Sequence, residues 1–251
     1  MSPRQRARLD LVIAERGLAP SRSRAQALIL AGTVLVDGMV VTKAGTAVDR
    51  DARIELVQPD HPYVSRGALK LEAALDAFGV SPESRDCLDI GASTGGFTDL
   101  LLSRGARRVI AIDVGRGQLD WKLRTDPRVV VMEGVNARLL AEHELPWQAD
   151  LAVIDVSFIS LRLVVPAVLP KLKPDATLIC LIKPQFEAGR QLVSRGGVVR
   201  DEAARREVIE GTVEALLALG LGFVGRVESP IRGPKGNLEE LAVFMVAGGP
   251  Q

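Results

Sequence analysis

The sequence is poor in rings, thiols and imidazoles. Aromatic residues fill 4% of its 251 positions, so any core must be aliphatic. The two cysteines, Cys87 and Cys180, lie in apolar runs that read as strands. They suit small core hydrophobes in a reducing compartment, and the expected location is cytoplasmic. The two histidines, His61 and His143, stand far apart without metal-ligand spacing, so no metal is expected. No apolar run approaches the ~18 residues that cross a bilayer; the longest candidate, 151–163, is interrupted by Asp155 and Arg162. Arg4 to Asp10 is polar where the apolar stretch of a signal peptide should begin. Net charge is nearly absent too, at +1, but it is unevenly spread. Residues 1–36 carry Arg4, Arg6, Arg8, Arg16, Arg22 and Arg24 against Asp10 and Glu15, a net of +4 that leaves −3 for the rest. A basic amino-terminal patch suits an anionic partner such as nucleic acid.

What is present centres on Leu88-Asp89-Ile90-Gly91-Ala92-Ser93-Thr94-Gly95-Gly96-Phe97-Thr98. An apolar run from Cys87 to Ile90 predicts a buried strand. Gly91, Gly95 and Gly96 let the backbone turn tightly and approach a ligand. A helix from about Thr98 to Arg104 follows, closed by Gly105 as a C′ glycine. A second strand, Arg108 to Ile112, ends in Asp113, placed to accept hydrogen bonds from ribose hydroxyls. Strand, glycine loop and helix form the first unit of a doubly wound nucleotide-binding fold, and both nicotinamide and S-adenosylmethionine (SAM) enzymes fit it.

The first 59 residues predict a small unit of their own. Leu9, Val12 and Ile13 recur at helical spacing up to Gly17. Ser21 is an N-cap for a second helix with apolar positions Ala25, Leu28, Ile29 and Ala31, stopped by Gly32. Val34–Val36, Asp37-Gly38 and Met39–Val41 read as a hairpin, and Ile54–Val57 as a further strand. Pro59, His61 and Pro62 predict a linker over 60–64. A helix capped at or near Ser65 follows, with apolar positions Leu69, Leu71, Ala74, Leu75 and Phe78. Lys70 falls off that stripe and by itself reads as a surface lysine.

From residue 65 onward strands and helices alternate. Strands are expected at Val129–Met132, Leu151–Ile154, Thr177–Ile182, Phe223–Val227 and Glu240–Val246. Helices are expected at Leu161–Leu172, shortened by Pro166 and Pro170, and at Glu202–Leu219. Residues 187–200 read as a mobile loop, and Gly233–Asn237 as a turn too polar for a core. Asp113, Asp155 and Lys183 follow the carboxyl ends of strands, the edge where open α/β sheets bind ligands.

Two resemblances rest on these residues. Ser21-Arg22, Ala25-Gln26, Leu28-Ile29, Gly32, Val34, Val36-Asp37-Gly38 and Lys43 resemble the S-four type RNA-binding domain. That likeness implies phosphate contacts from Arg6, Arg8, Arg22, Arg24 and Lys43. The set Lys70, Asp155, Lys183 and Glu239 beside the glycine loop resembles the tetrad of the FtsJ-like ribose 2′-O-methyltransferases. Further motifs are Val64-Ser65-Arg66-Gly67, Asp113-Val114-Gly115, Asp155-Val156-Ser157-Phe158, Lys183-Pro184-Gln185-Phe186 and Gly233-Pro234 with Gly236-Asn237. With them, nearly the whole chain resembles the TlyA family of rRNA cytidine 2′-O-methyltransferases, called haemolysin A in older usage. Glu240 adjoins Glu239, and only the spacing from Asn237 favours Glu239.

The resemblance implies an α/β protein: a small α+β RNA-binding domain (1–59), a linker (60–64) and a doubly wound, Rossmann-like SAM-dependent methyltransferase domain (65–251). The cofactor would be SAM, held by Asp89, Gly91, Ala92, Ser93, Thr94, Gly95, Gly96, Phe97, Asp113, Val114, Gln118, Asn136 and Asp155. The partner would be ribosomal RNA, with Arg66, Arg138 and Arg190 adding phosphate contacts. Lys183 would act as general base, since burial and a neighbouring cation both disfavour a lysine's charge. Lys70 would steady the developing alkoxide, and Asp155 and Glu239 would orient the lysines. Other readings fit less well. A dehydrogenase leaves Lys70 and Lys183 unexplained, and a cytosine C5 enzyme needs an exposed nucleophilic cysteine. An adenine-N6 enzyme needs an Asn/Asp-Pro-Pro-aromatic run. A pore-former needs an amphipathic or spanning segment, and a pure RNA-binding adaptor requires the tetrad to be inactive.

Overall fold

The computed structural model describes residues 6–19, 21–57 and 61–248. Its front part packs α1 (Leu9–Glu15) against α2 (Arg22–Leu30) over a three-stranded sheet, β3-β2-β5, of Met39–Val40, Val34–Val36 and Ile54–Leu56. Leu9, Val12, Ile13, Ala25, Ile29, Val34 and Val48 close a small aliphatic core. Ser21 Oγ accepts the Arg24 N–H at 3.1 Å, the expected cap. Asp37 (φ 51°) and Gly38 (φ 81°) both take positive φ, as a two-residue hairpin turn requires. One pairing was not legible in the sequence: β1 (Arg6–Arg8) runs antiparallel to β4 (Ala47–Asp49).

The body is a seven-stranded sheet. In chain order its strands are β6 (Asp86–Ile90), β7 (Arg108–Asp113), β8 (Val129–Glu133), β9 (Ala149–Ile154), β10 (Leu172–Ile182), β11 (Gly222–Glu228) and β12 (Glu240–Met245). Their spatial order is β11-β12-β10-β9-β6-β7-β8. Strands β8 to β10 pair in parallel through β7, β6 and β9, while β12 runs antiparallel to both β10 and β11. The central strands are buried on both faces, so their side chains alternate between two cores. Leu88, Ile90, Ile110, Ile112, Ile154 and Cys180 face α5 (Leu161–Val168) and α6 (Glu202–Leu217). Cys87, Val109, Leu151, Val153, Ile179 and Leu181 face α3 (Ala68–Phe78) and α4 (Gly96–Ser103). The chain moves outward from β6 to β7 and β8, then returns to β9 on the other side of β6. The crevice at that reversal is where such sheets bind ligands.

The antiparallel direction of β12 has a functional consequence. Ile182 is registered opposite Glu240, so the start of β12 meets the end of β10. Glu239 therefore arrives at the same sheet edge as Lys183, Asp155 and Asp113.

Several expectations need correction. Lys70 is not on the surface: it is 7% exposed, covered by the far end of the chain. Gly67, without a side-chain cap, precedes α3 where Ser65 was expected. The polar turn before β12 is partly core, since Asn237 and Glu239 are buried. Asn237 also anchors the end of the 187–200 loop: its Oδ1 accepts the Val199 N–H at 3.1 Å and its Nδ2 donates to the Gly197 carbonyl at 2.9 Å. Pro59 and Asp60 of the expected linker lie outside the described residues.

Candidate active site

The glycine loop leaves β6 under steric constraint. Gly91 has φ +85°, and a Cβ there would lie 2.3 Å from the Asp155 carbonyl oxygen. Gly95 has φ +96°, and a Cβ would meet Leu123 at 2.2 Å. At Gly96 a Cβ would come 2.3 Å from Ser65 Oγ. Side chains at these positions would close the loop or unseat its neighbours, so glycine is required.

At the end of β7, Asp113 accepts the Ser93 N–H at 2.8 Å through Oδ2 and the Gly115 N–H at 2.6 Å through Oδ1. Val114, next to it, is 73% exposed, an apolar face beside a polar acceptor. Asp89 is fully buried. Its Oδ2 accepts from Thr98 Oγ1 at 2.6 Å, while its Oδ1 has no partner. Burial, opposed by the Thr98 hydrogen bond and aided by the Asp155 charge, pushes its carboxyl up to about 7. Asn136 is exposed, and its Oδ1 accepts the Arg138 N–H as the cap of a 3-10 turn over Ala137–Glu142.

The four tetrad positions form two linked pairs. Lys70, from the first turn of α3, donates to Glu239 Oε2 at 2.5 Å. Lys183 Nζ lies 2.5 Å from Asp155 Oδ1. Burial works against the Asp155 charge, but Lys183 and Lys70 outweigh it and hold the carboxyl below its ordinary range. Gln185 Nε2 reaches Glu239 Oε1 at 3.5 Å. It is Glu239, 1% exposed, that meets Lys70; Glu240 pairs instead with Arg226 at 3.3 Å.

Sequence reasoning missed Ser157, Phe158 and Gln185 as individual members of this site. Lys183 Nζ donates to Ser157 Oγ at 3.0 Å. Phe158 is 89% exposed with φ +65°, and its ring lies 5.0 Å from that of Phe186. An exposed ring at the mouth of a polar site is a surface on which a base could stack. Both cysteines are free and buried, and burial pushes the Cys87 thiol up to about 12 and raises Cys180 further. No group of three or more His, Cys, Asp or Glu among the described residues could hold a metal.

The basic residues of the front part are already engaged. Arg8 and Arg22 both donate to the buried Asp10 carboxylate, at 3.0 and 2.9 Å. With Gln26 they outweigh burial and hold Asp10 far below the usual carboxylate range. Arg6 Nη2 donates to the Ala47 carbonyl. Arg24 pairs with Asp120 of the body at 2.6 Å. Arg66 packs against Gly32, where a Cβ would come 2.7 Å from its Nε. Arg8, Arg22 and Arg24 keep roughly half of their side chains in solvent. Lys43 and Arg138 are exposed, and the Arg190 side chain lies outside the described residues.

A mixed sheet of this order, with a glycine loop at its reversal and a lysine–carboxylate array on its carboxyl edge, defines a methyltransferase of the α/β class. Residues 63–246 match the model of the FtsJ-like methyltransferase family, and residues 7–54 match the S4 domain. The chain is 48% identical over 236 residues to the 16S/23S rRNA (cytidine-2′-O)-methyltransferase TlyA of Mycobacterium tuberculosis, covering 94% of this chain and 88% of that one. It is 45% identical to Hemolysin A of Brachyspira hyodysenteriae, covering 95% and 100%. A solved structure of a Streptococcus thermophilus protein described as a hemolysin aligns with a TM-score of 0.74 at 39% identity, covering 99% and 91%. The chain belongs to the TlyA family of FtsJ-like methyltransferases with an S4 domain.

Proposed function

We propose that this protein transfers a methyl group from SAM to the ribose 2′-hydroxyl of cytidine in ribosomal RNA, acting in the cytoplasm. In this reading residues 1–59 are the RNA-binding head, 60–64 the linker and 65–251 the catalytic body. The observation that carries it is Lys183 Nζ held 2.5 Å from Asp155 Oδ1, at the sheet edge that receives Lys70 and Glu239. The relatives' names supply the target, and the basic S4 unit supplies affinity for RNA.

The residues present suit SAM. Gly91, Ala92, Ser93, Thr94, Gly95, Gly96 and Phe97 form the turn out of β6 at the sheet's reversal, and its three glycines let it pass close to Asp155, Leu123 and Ser65. Asp113 offers oxygens for ribose hydroxyls, with Val114 and Gln118 toward the adenine and Asn136 nearby. Asp89 and Asp155 flank the methionine end, and the unpartnered Asp89 Oδ1 is the acceptor an α-ammonium group would satisfy. When bound, SAM supplies a methyl group activated on a sulfonium.

A ribose hydroxyl is a poor nucleophile at neutral pH and needs a base. To act as base, Lys183 must first give up to solvent the proton that its ion pair with Asp155 favours. It takes the 2′-hydroxyl proton as the oxygen attacks the methyl carbon, and becomes an ammonium ion paired with Asp155. The carbon–sulfur bond breaks as the carbon–oxygen bond forms, and the proton passes from Lys183 to solvent. Lys70, fixed by Glu239, places positive charge where the alkoxide develops. Phe158 offers the target base a ring to stack on. The protein's main contribution is to align oxygen and methyl group.

The test is transfer of labelled methyl from SAM to purified ribosomal subunits, followed by nuclease mapping. Label on a cytidine 2′-oxygen supports the reading. Label on a base overturns it.

A further inference from the structure

We propose that Ser157 is a positioning residue for Lys183, fixing the direction along which that amine meets the ribose hydroxyl. The inference rests on the general-base reading of Lys183. Ser157 Oγ accepts a hydrogen bond from Lys183 Nζ at 3.0 Å. Asp155 Oδ1 lies 2.5 Å from the same nitrogen as its ion-pair partner, but is not aligned to accept a hydrogen bond. The carboxylate therefore attracts the amine without fixing its rotation, and the Ser157 hydroxyl is the contact that sets how the remaining directions of the nitrogen point. Without that hydroxyl, the amine can rotate about the Cδ–Cε and Cε–Nζ bonds and lose that aim. A general base must sit within hydrogen-bond reach of the proton it takes, so aim bears directly on rate.

The backbone around Ser157 is held for this purpose. At the front, the Asp155 N–H donates to the Ile90 carbonyl at 2.9 Å. At the rear, Glu187 accepts from Ser160 Oγ at 2.6 Å and from the Leu161 N–H at 2.8 Å. Between these anchors Phe158 takes φ +65°, a conformation unfavourable for a bulky side chain. Such strain persists where surrounding contacts over-determine the backbone, and it gathers at functional sites. Here it turns the chain directly after Ser157. Glu187 lies four residues beyond Lys183, so one short segment fixes both the amine and the loop that aims it.

The experiment measures single-turnover methyl transfer to purified ribosomal subunits at saturating SAM. The full chain is compared with Ser157→Ala, Ser157→Thr and Lys183→Ala. SAM affinity and melting temperature are measured for each. We expect Ser157→Ala to slow transfer about 10- to 100-fold with the subunit KM, SAM affinity and melting temperature unchanged. Ser157→Thr, which keeps the hydroxyl, should restore most of the rate. A Ser157→Ala rate equal to wild type beside an inactive Lys183→Ala overturns this inference and leaves the base reading intact. Loss of SAM affinity or stability in Ser157→Ala, without rescue by threonine, overturns it in favour of a structural role. An active Lys183→Ala removes the base reading and this inference with it.

Discussion

A Cβ on Gly233 would lie 2.4 Å from Glu239 Oε1, so the turn before β12 must carry glycine if Glu239 is to reach Lys70. Glu239 is buried and held by Lys70 and Gln185, so its carboxylate can move away only by giving up those contacts. Gly233→Ala should therefore displace the carboxylate and slow methyl transfer by about 100-fold, the cost of an ångström-scale misplacement. SAM affinity should stay at its wild-type value, because Gly233 lies outside the glycine loop. Kinetics paired with calorimetry check both halves.

The Lys70–Glu239 pair is also a stability element. Glu239→Ala leaves a buried ammonium without its partner and should destabilise the body by about 3–5 kcal/mol. The double variant Lys70→Met with Glu239→Leu should recover most of this, since an apolar pair avoids the desolvation cost, while remaining inactive. Thermal melts of the three proteins decide the point.

Asp89 yields a pH prediction. Its carboxyl sits at about 7 in the folded protein, above the ~3.9 of an unfolded aspartate. Between these values the native state keeps a proton that the unfolded chain has lost, so stability falls as pH rises through that window. Asp89→Asn can still accept from Thr98 and carries no charge. It should melt higher than wild type at about pH 8, and the gap should close as pH falls toward 4. The same change should weaken SAM binding, because the ionised oxygen offered to the ammonium group is gone.

On the front unit, Arg8 and Arg22 share Asp10 yet keep about half of each side chain in solvent. Replacing either with alanine should weaken binding to ribosomal RNA. It should also reduce the slope of log affinity against log salt by about 0.9 per phosphate contact removed. Filter binding across a salt series reads both quantities.

How much of this could be seen in the sequence depends on the range of the contacts involved. The glycine loop, Asp113, Asp155 and Lys183 were legible because a strand followed by a turn fixes their place locally. Ser21 and the Asp37-Gly38 turn were legible for the same reason. Lys70 was misjudged by periodicity alone, because the group that buries it arrives 169 residues later. Only the motif resemblance picked it out. The direction of β12 has no local signal, yet it is what brings Glu239 to the edge and separates its surroundings from those of Glu240. The burial of Asn237 was hidden because a polar, glycine-rich turn gives no hint that it will pin another loop. Ser157 stood inside a quoted motif, but its hydrogen bond to Lys183 needs the loop geometry that Phe158 and Glu187 impose.

The central claim is that Lys183 is the base, and the most direct measurement is single-turnover transfer by Lys183→Ala beside its SAM affinity. The account predicts a loss of about 100- to 10,000-fold with SAM bound as tightly as in wild type. A variant that transfers methyl at the wild-type rate would contradict it.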